Sequence, residues 1–208
     1  MPSKRAYVSP LREQSAARTR EQILLKATEL FAARGYGLVT VADIAAAAGV
    51  SPKTVFASAG SKGEILDRIV DRGVATSGHE DALGHMLRLR DAGTLLAALA
   101  HGTRTGNERH FLVHEAVHKA LPVHENGEAL WRRATGAYRD AVDAAARHLH
   151  TLTPPPSGAV QETADRLWFW FGPTSWRTLV VENGWSWEHA EDFLRGTAVA
   201  TLCGPAAR

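Results

Sequence analysis

The run His114-Glu115-Ala116-Val117-His118, with His124 six residues further on, has the residue types and spacing of a hydrolytic metal centre. Imidazoles four apart share one face of a helix and can hold zinc, and the intervening glutamate can activate a metal-bound water as general base. A second constellation offers different chemistry. Thr40, Ser51 and Ser61 each precede a helix-like run, with Pro52, Lys53, Thr54 and Lys62 following directly. Hydroxyls at such positions cap helices by accepting the early backbone N–H groups, and a proline at the first helical position needs none. A third group, Arg104, Phe111, His114, Trp131, Trp168 and Trp176, combines aromatic walls with a few polar groups. That mixture suits a largely apolar small molecule carrying one anionic or hydrogen-bonding group.

The histidine spacing is similar to that of metzincin proteases, but the neighbouring residues depart from it. Leu121 stands where that group keeps a glycine for a sharp turn, Pro122 follows, and Met1 and Met86 are the only methionines, so none lies downstream for a methionine turn. All ten histidines lie after Arg72, which makes fortuitous pairs in that region common. No serine nucleophile elbow, phosphate-binding glycine loop or cysteine-rich metal box is present. The chain is therefore expected not to be an enzyme and to need no cofactor or metal. A zinc-dependent metallohydrolase, or a metal-sensing regulator using residues 114–118, stands as the alternative.

The elements that must carry these groups are helical. Apolar residues recur at helical spacing throughout the 208 residues, no stretch alternates as a strand would, and the fold class is all-α. With 45% hydrophobic and 22% charged residues the chain has the makings of an ordinary globular core. The single Cys203 excludes an internal disulfide, and there is no apolar run long enough to cross a membrane. The first twenty residues are polar and basic without an apolar segment, so no secretory signal is expected and the location is read as cytoplasmic. Residues 1–17 read as a flexible basic arm.

In residues 18–34, Ile23, Ala27, Leu30 and Phe31 form one stripe, which Gly35 ends. Thr40 with Asp43 makes a capping box, opening a short helix with Val41, Ile44, Ala45 and Ala48 inward and Gly49-Val50 as its stop. Ser51-Pro52 opens the next helix as N-cap and first-turn proline, and Ser61 with Glu64 opens a fourth that carries Ile65, Leu66, Ile69 and Val70. Further helices are expected at roughly 81–104, 107–121, 126–150, 160–183 and 187–203, with residues 151–158 (TLTPPPSG) as a loop. Gly172-Pro173 should kink or interrupt its helix.

Two short helices joined by a glycine-containing turn, after a longer amphipathic one, define a helix-turn-helix. The run Thr40 to Phe56, T-V-x-D-I-A-x-x-A-G-V-S-x-x-T-V-F, followed by Ser61-Lys62 and Ile65-Leu66, resembles the DNA-binding signature of the tetracycline-repressor (TetR) family. The resemblance covers about residues 18–70. It implies that Thr40 and Lys62 hold phosphates, and that Ser51, Pro52, Lys53 and Thr54 face base edges or backbone. Lys53 is the best placed for a guanine edge, and Arg18 and Arg20 add backbone or minor-groove contacts. Phe56 stands where the family usually has tyrosine, and Ser58 and Ala59 also depart from its pattern. Phe56 would thus contact sugar or pack without a phosphate hydrogen bond, leaving that helix end less firmly anchored.

Charge supports this division. Up to Arg72 there are eleven Lys/Arg against seven Asp/Glu, and beyond it thirteen against fifteen. The expected organisation is a head at 18–72, with its last helix from about 61 as connector, and an effector-binding and dimerisation body at 73–208. A homodimer through about 160–203 would present Leu167, Trp168, Phe171, Trp176, Leu179, Val180, Phe193 and Leu194, more apolar surface than one helical pair readily hides. The partners expected are a palindromic double-stranded operator and a small effector that releases it, with no membrane.

Overall fold

The computed structural model describes residues 10–76 and 79–204, and every regular element among them is helical, as the periodicity predicts. The helices are α1 Pro10–Arg34, α2 Val41–Ala48, α3 Pro52–Ala59, α4 Lys62–Ala75, α5 His79–Met86, α6 Ala92–Ala120, α7 Gly127–Leu149, α8 Val160–Phe171, α9 Pro173–Arg177 and α10 Trp187–Leu202. The described part of the chain divides into two compact units. One holds the residues up to Gly73 together with Leu112–Trp131; the other holds Val74–Phe111 and the chain from Arg132 onward.

In the first unit α1, α2 and α3 pack on one another. Ile23, Ala27, Phe31, Ile44, Val55 and Ala59 are completely buried, as are Ile65, Leu66 and Val70 of α4. α1 begins earlier than the stripe implies. Residues 10–17, read from sequence as part of a flexible arm, form its exposed first turns, while residues 1–9 of that arm lie outside the described residues. Proline at the first helical position and a run of Arg, Glu, Gln and Ala, all good helix formers, account for the extension.

Residues 112–131 were expected in the body, yet they belong with the head. The physical tie is Lys119. Its ammonium reaches the Ala32 carbonyl at the end of α1, and the Ala33 carbonyl at 3.4 Å, satisfying acceptors that the helix leaves open. Val123 packs at Gly37, and His124 lies edge-on to Tyr36 at 5.1 Å.

The second unit is built on Leu95, Leu96, Leu99, Val142, Leu149, Leu167, Phe171 and Trp176, with Ala190, Leu194 and Ala198 from α10. The two helices expected at 81–104 and 107–121 are instead a short α5 and one unbroken α6. Asp91 caps α6 by accepting from the Thr94 N–H at 2.8 Å. Gly102 and Gly106 lie inside α6 without ending it, because a glycine costs only about 1 kcal/mol in a helix whose other face is buried. At Gly172-Pro173 the chain does break, and Pro173 starts α9. A side chain at Gly172 would collide with the Trp168 carbonyl, so the close approach of these turns requires glycine. Residues 151–158 contain no helix.

Candidate nucleic-acid interface

The local geometry of the head follows from its caps. Thr40 Oγ1 accepts from the Asp43 N–H at 3.1 Å, and the Thr40 N–H donates to Asp43 Oδ2 at 2.8 Å, a complete capping box. These donors hold the Asp43 carboxyl below its usual range, the backbone N–H of Thr40 being the largest cause. The Thr40 hydroxyl also donates to Asp43 at 2.7 Å, so it is engaged in the cap. Gly49 takes φ 68°, the left-handed turn between α2 and α3 that a side chain would oppose.

Ser51 caps α3 by accepting from the Thr54 N–H at 3.1 Å, with the Thr54 hydroxyl 2.9 Å away. Val55 and Ala59 point into the core, whereas Ser51, Pro52, Lys53, Phe56 and Ala57 are exposed. Of the residues expected to meet base edges or backbone, Ser51, Pro52 and Lys53 are thus exposed, while Thr54 is half-buried. Thr40 starts α2 and Lys62 starts α4, each at a helix N-terminus.

Two contacts here join residues far apart in sequence. Lys62 Nζ donates to the Tyr36 carbonyl at 3.0 Å and lies 4.2 Å from the centre of the Tyr36 ring. Tyr36 was not singled out from sequence, although an aromatic directly after the Gly35 stop could have drawn notice. Burial raises its hydroxyl pKa, with Asp67 and Glu125 adding to the effect. Arg20, expected as a contact to DNA, donates through Nε to the Ser58 carbonyl at 2.9 Å. The end of α3, which lacked an evident anchor in the sequence, is held by this guanidinium and by the Gly60 N–H on the Phe56 carbonyl at 3.1 Å.

The histidine motif packs against aromatic rings. His114 and His118 both lie edge-on to the Trp131 ring, at 6.4 and 6.2 Å, while His124 packs on Tyr36 and accepts from the Asn126 N–H at 3.1 Å. Glu115 is buried and pairs with Lys119 at 3.8 Å, the lysine that binds the end of α1. Among the described residues no group of three His, Cys, Asp or Glu is placed to hold a metal ion.

Of the six residues expected to line an effector pocket, His114 and Trp131 fall in the first unit and Arg104, Phe111, Trp168 and Trp176 in the second. Within the second unit, Trp187 lies 6.0 Å from both Phe111 and Trp176, and Trp168 is edge-on to Tyr138 at 5.6 Å. The Tyr138 hydroxyl donates to the Phe171 carbonyl freed by the break at Gly172, and the Trp176 indole N–H donates to the same carbonyl at 3.1 Å. Asn107 reaches Tyr138 at 3.0 Å. Arg104 is already engaged, by Glu191 at 2.5 Å and Glu108 at 2.9 Å, with Glu188 at 3.6 Å.

Residues 23–69 match the family model described as bacterial regulatory proteins, tetR family. The HTH-type transcriptional regulator TcmR of Streptomyces glaucescens is 46% identical over 55 residues, 26% of this chain and 24% of that protein. The match therefore spans about a quarter of that curated relative. Solved structures share the fold across most of the chain. A protein from Saccharomonospora viridis, in complex with choline, is 21% identical with a TM-score of 0.71, covering 89% of this chain and 98% of its own. The TetR-family transcriptional regulator PfmR of Thermus thermophilus is 21% identical with a TM-score of 0.66, covering 91% of this chain and 98% of its own. The chain carries a TetR-family helix-turn-helix domain, joined to helices in a TetR-type fold.

Proposed function

We propose that the chain is a transcriptional repressor that binds a palindromic operator as a homodimer and is released by a small, largely apolar effector. The observation that carries this reading is α3 itself. It is capped at Ser51, anchored at Ser58, and presents Lys53 and Phe56 outward, within a segment matching a regulatory DNA-binding family. A major groove admits one such helix, and two-fold pairing would set two copies about 34–36 Å apart on successive grooves.

Pairing is supported by Phe169 on α8 and Phe193 on α10, 73% and 50% exposed, beside the open backbone of Gly196. Leu167, Phe171, Trp176 and Leu194, also expected at that face, are buried in the second unit's own core. The effector reading is supported by the rings of Phe111, Trp187 and Trp176, which pack in succession, and by Trp168 against Tyr138. With Arg104 neutralised by glutamates, an anionic effector has less support than an apolar one. Effector binding would shift the population toward a state whose two heads no longer fit successive grooves. A coupling of about 1–3 kcal/mol changes operator affinity roughly 5- to 150-fold.

Selection from a random DNA pool at moderate salt, with and without zinc and chelator, tests the reading. Recovery of one palindrome regardless of chelator is the expected result. No enriched sequence would overturn it, and enrichment only with zinc would favour a metal-sensing regulator.

A further inference from the structure

The exposed residues of α3 are mostly apolar: Pro52, Phe56 and Ala57 beside Lys53. Val55 and Ala59 already fill the core at zero exposure, so Phe56, 56% exposed, has no packing duty there. It shares its face with Lys53, three residues before, and Ala57 on the adjoining side of the helix is exposed as well. The ring's helix end is tied down twice, by Arg20 on the Ser58 carbonyl and by the Gly60 N–H on the Phe56 carbonyl. These bonds steady the backbone that carries the ring, and a phenyl ring offers no donor or acceptor to any base.

We propose that Phe56 is a specificity-determining residue that reads the 5-methyl group of thymine in each operator half-site; this rests on the DNA-binding reading above. The only methyl displayed on base edges in the major groove belongs to thymine. Opposite the donors and acceptors of a G·C edge, the ring would strip water and return no hydrogen bond. Lys53 complements it, since an ammonium suits guanine O6 and N7. Three helical residues advance about 4.5 Å, between one and two base steps of about 3.4 Å. The half-site is therefore expected to hold a guanine with thymine one or two base pairs away.

The test replaces each thymine of the selected operator by deoxyuridine, which keeps every hydrogen-bonding group and removes only the methyl. Wild-type protein should bind about fourfold more weakly per methyl lost at one or two positions of each half-site, the equivalent of one buried carbon. Phe56→Ala should bind thymine and uracil operators equally, while Phe56→Leu, still apolar, should retain part of the preference. Circular dichroism and melting of both variants establish that the head remains folded. A wild type indifferent to uracil at every position, or a Phe56→Ala variant with an unchanged thymine preference, overturns the assignment and leaves DNA binding standing. A pool yielding no enriched sequence overturns both.

Discussion

Lys62 holds Tyr36 at two places, its ammonium 3.0 Å from the backbone carbonyl oxygen and 4.2 Å above the ring centre. The cation is thereby stationed at the start of α4, where unsatisfied N–H groups also favour an anion. A phosphate contact from this place is independent of base sequence. Lys62→Ala should weaken binding to specific and unrelated DNA alike and lower the salt slope by about 0.9, the release of one counterion. Lys53→Ala should instead change which base is preferred. Anisotropy titrations of two operators over a range of salt separate the cases; identical behaviour of the two variants would refute the division.

Arg20 ties α1 to the Ser58 carbonyl near the end of α3, where a cation also interacts favourably with the helix dipole. Arg20→Ala should cost about 0.5–1.5 kcal/mol of stability and speed amide exchange at the α3 C-terminus. Arg20→Lys, without the Nε geometry, should recover little. Exchange rates at residues 57–60 that match the wild type would show that the contact contributes nothing.

Asp43 and Glu64 are both held below their usual values, chiefly by the backbone N–H groups of Thr40 and Ser61. A depressed carboxylate stabilises the folded state above its unfolded pKa and ceases to do so as pH falls through its folded value. The caps of α2 and α4 should therefore hold fully above the ordinary 3.8 and 4.5 and loosen on acidification below them. Thr40→Val removes the hydroxyl but keeps the N–H, so the Asp43 pKa should rise only part of the way. Carboxyl-carbon titration by NMR checks this; no rise at all would mean the hydroxyl is irrelevant.

Glu115 and Lys119 connect α6 to the end of α1, so the glutamate of the His-Glu motif has a structural task. Glu115→Ala should lower stability by about 1 kcal/mol, the scale of a partly exposed ion pair, since it removes the carboxylate facing the Lys119 ammonium. A chelator should leave the melting temperature unchanged. Urea titration measures the first and a thermal melt with and without chelator the second; a chelator-induced drop would favour the metal reading.

Phe169 and Phe193 present apolar rings to solvent on α8 and α10. Phe169→Asp and Phe193→Asp should each shift the sedimenting species at micromolar concentration from two chains toward one, and weaken binding to a full palindrome more than to a half-site. Unchanged mass in both variants would require another dimer face.

Much of the head was legible in sequence because its signals are local. Thr40 with Asp43, Ser51 with Thr54 and Ser61 with Glu64 each act across three residues, and Gly49 acts at its own φ. Neither the continuity of α6 nor the length of α1 could be read this way. Gly102 and Gly106 resemble stops unless the buried stripe beside them is known, and residues 10–17 resemble an arm unless the helix beyond is already formed.

By itself, the sequence determined the helical class, the order of caps and turns through α4, and the surface chemistry of α3. Tertiary structure alone decided that residues 112–131 join the head, that Arg20 and Lys62 bind Ser58 and Tyr36, and which aromatic rings are buried. The reason is range. A cap closes within one helical turn, whereas Arg20 to Ser58 spans 38 positions and Lys119 to Ala32 spans 87, and such pairs meet only after the core has brought their helices together.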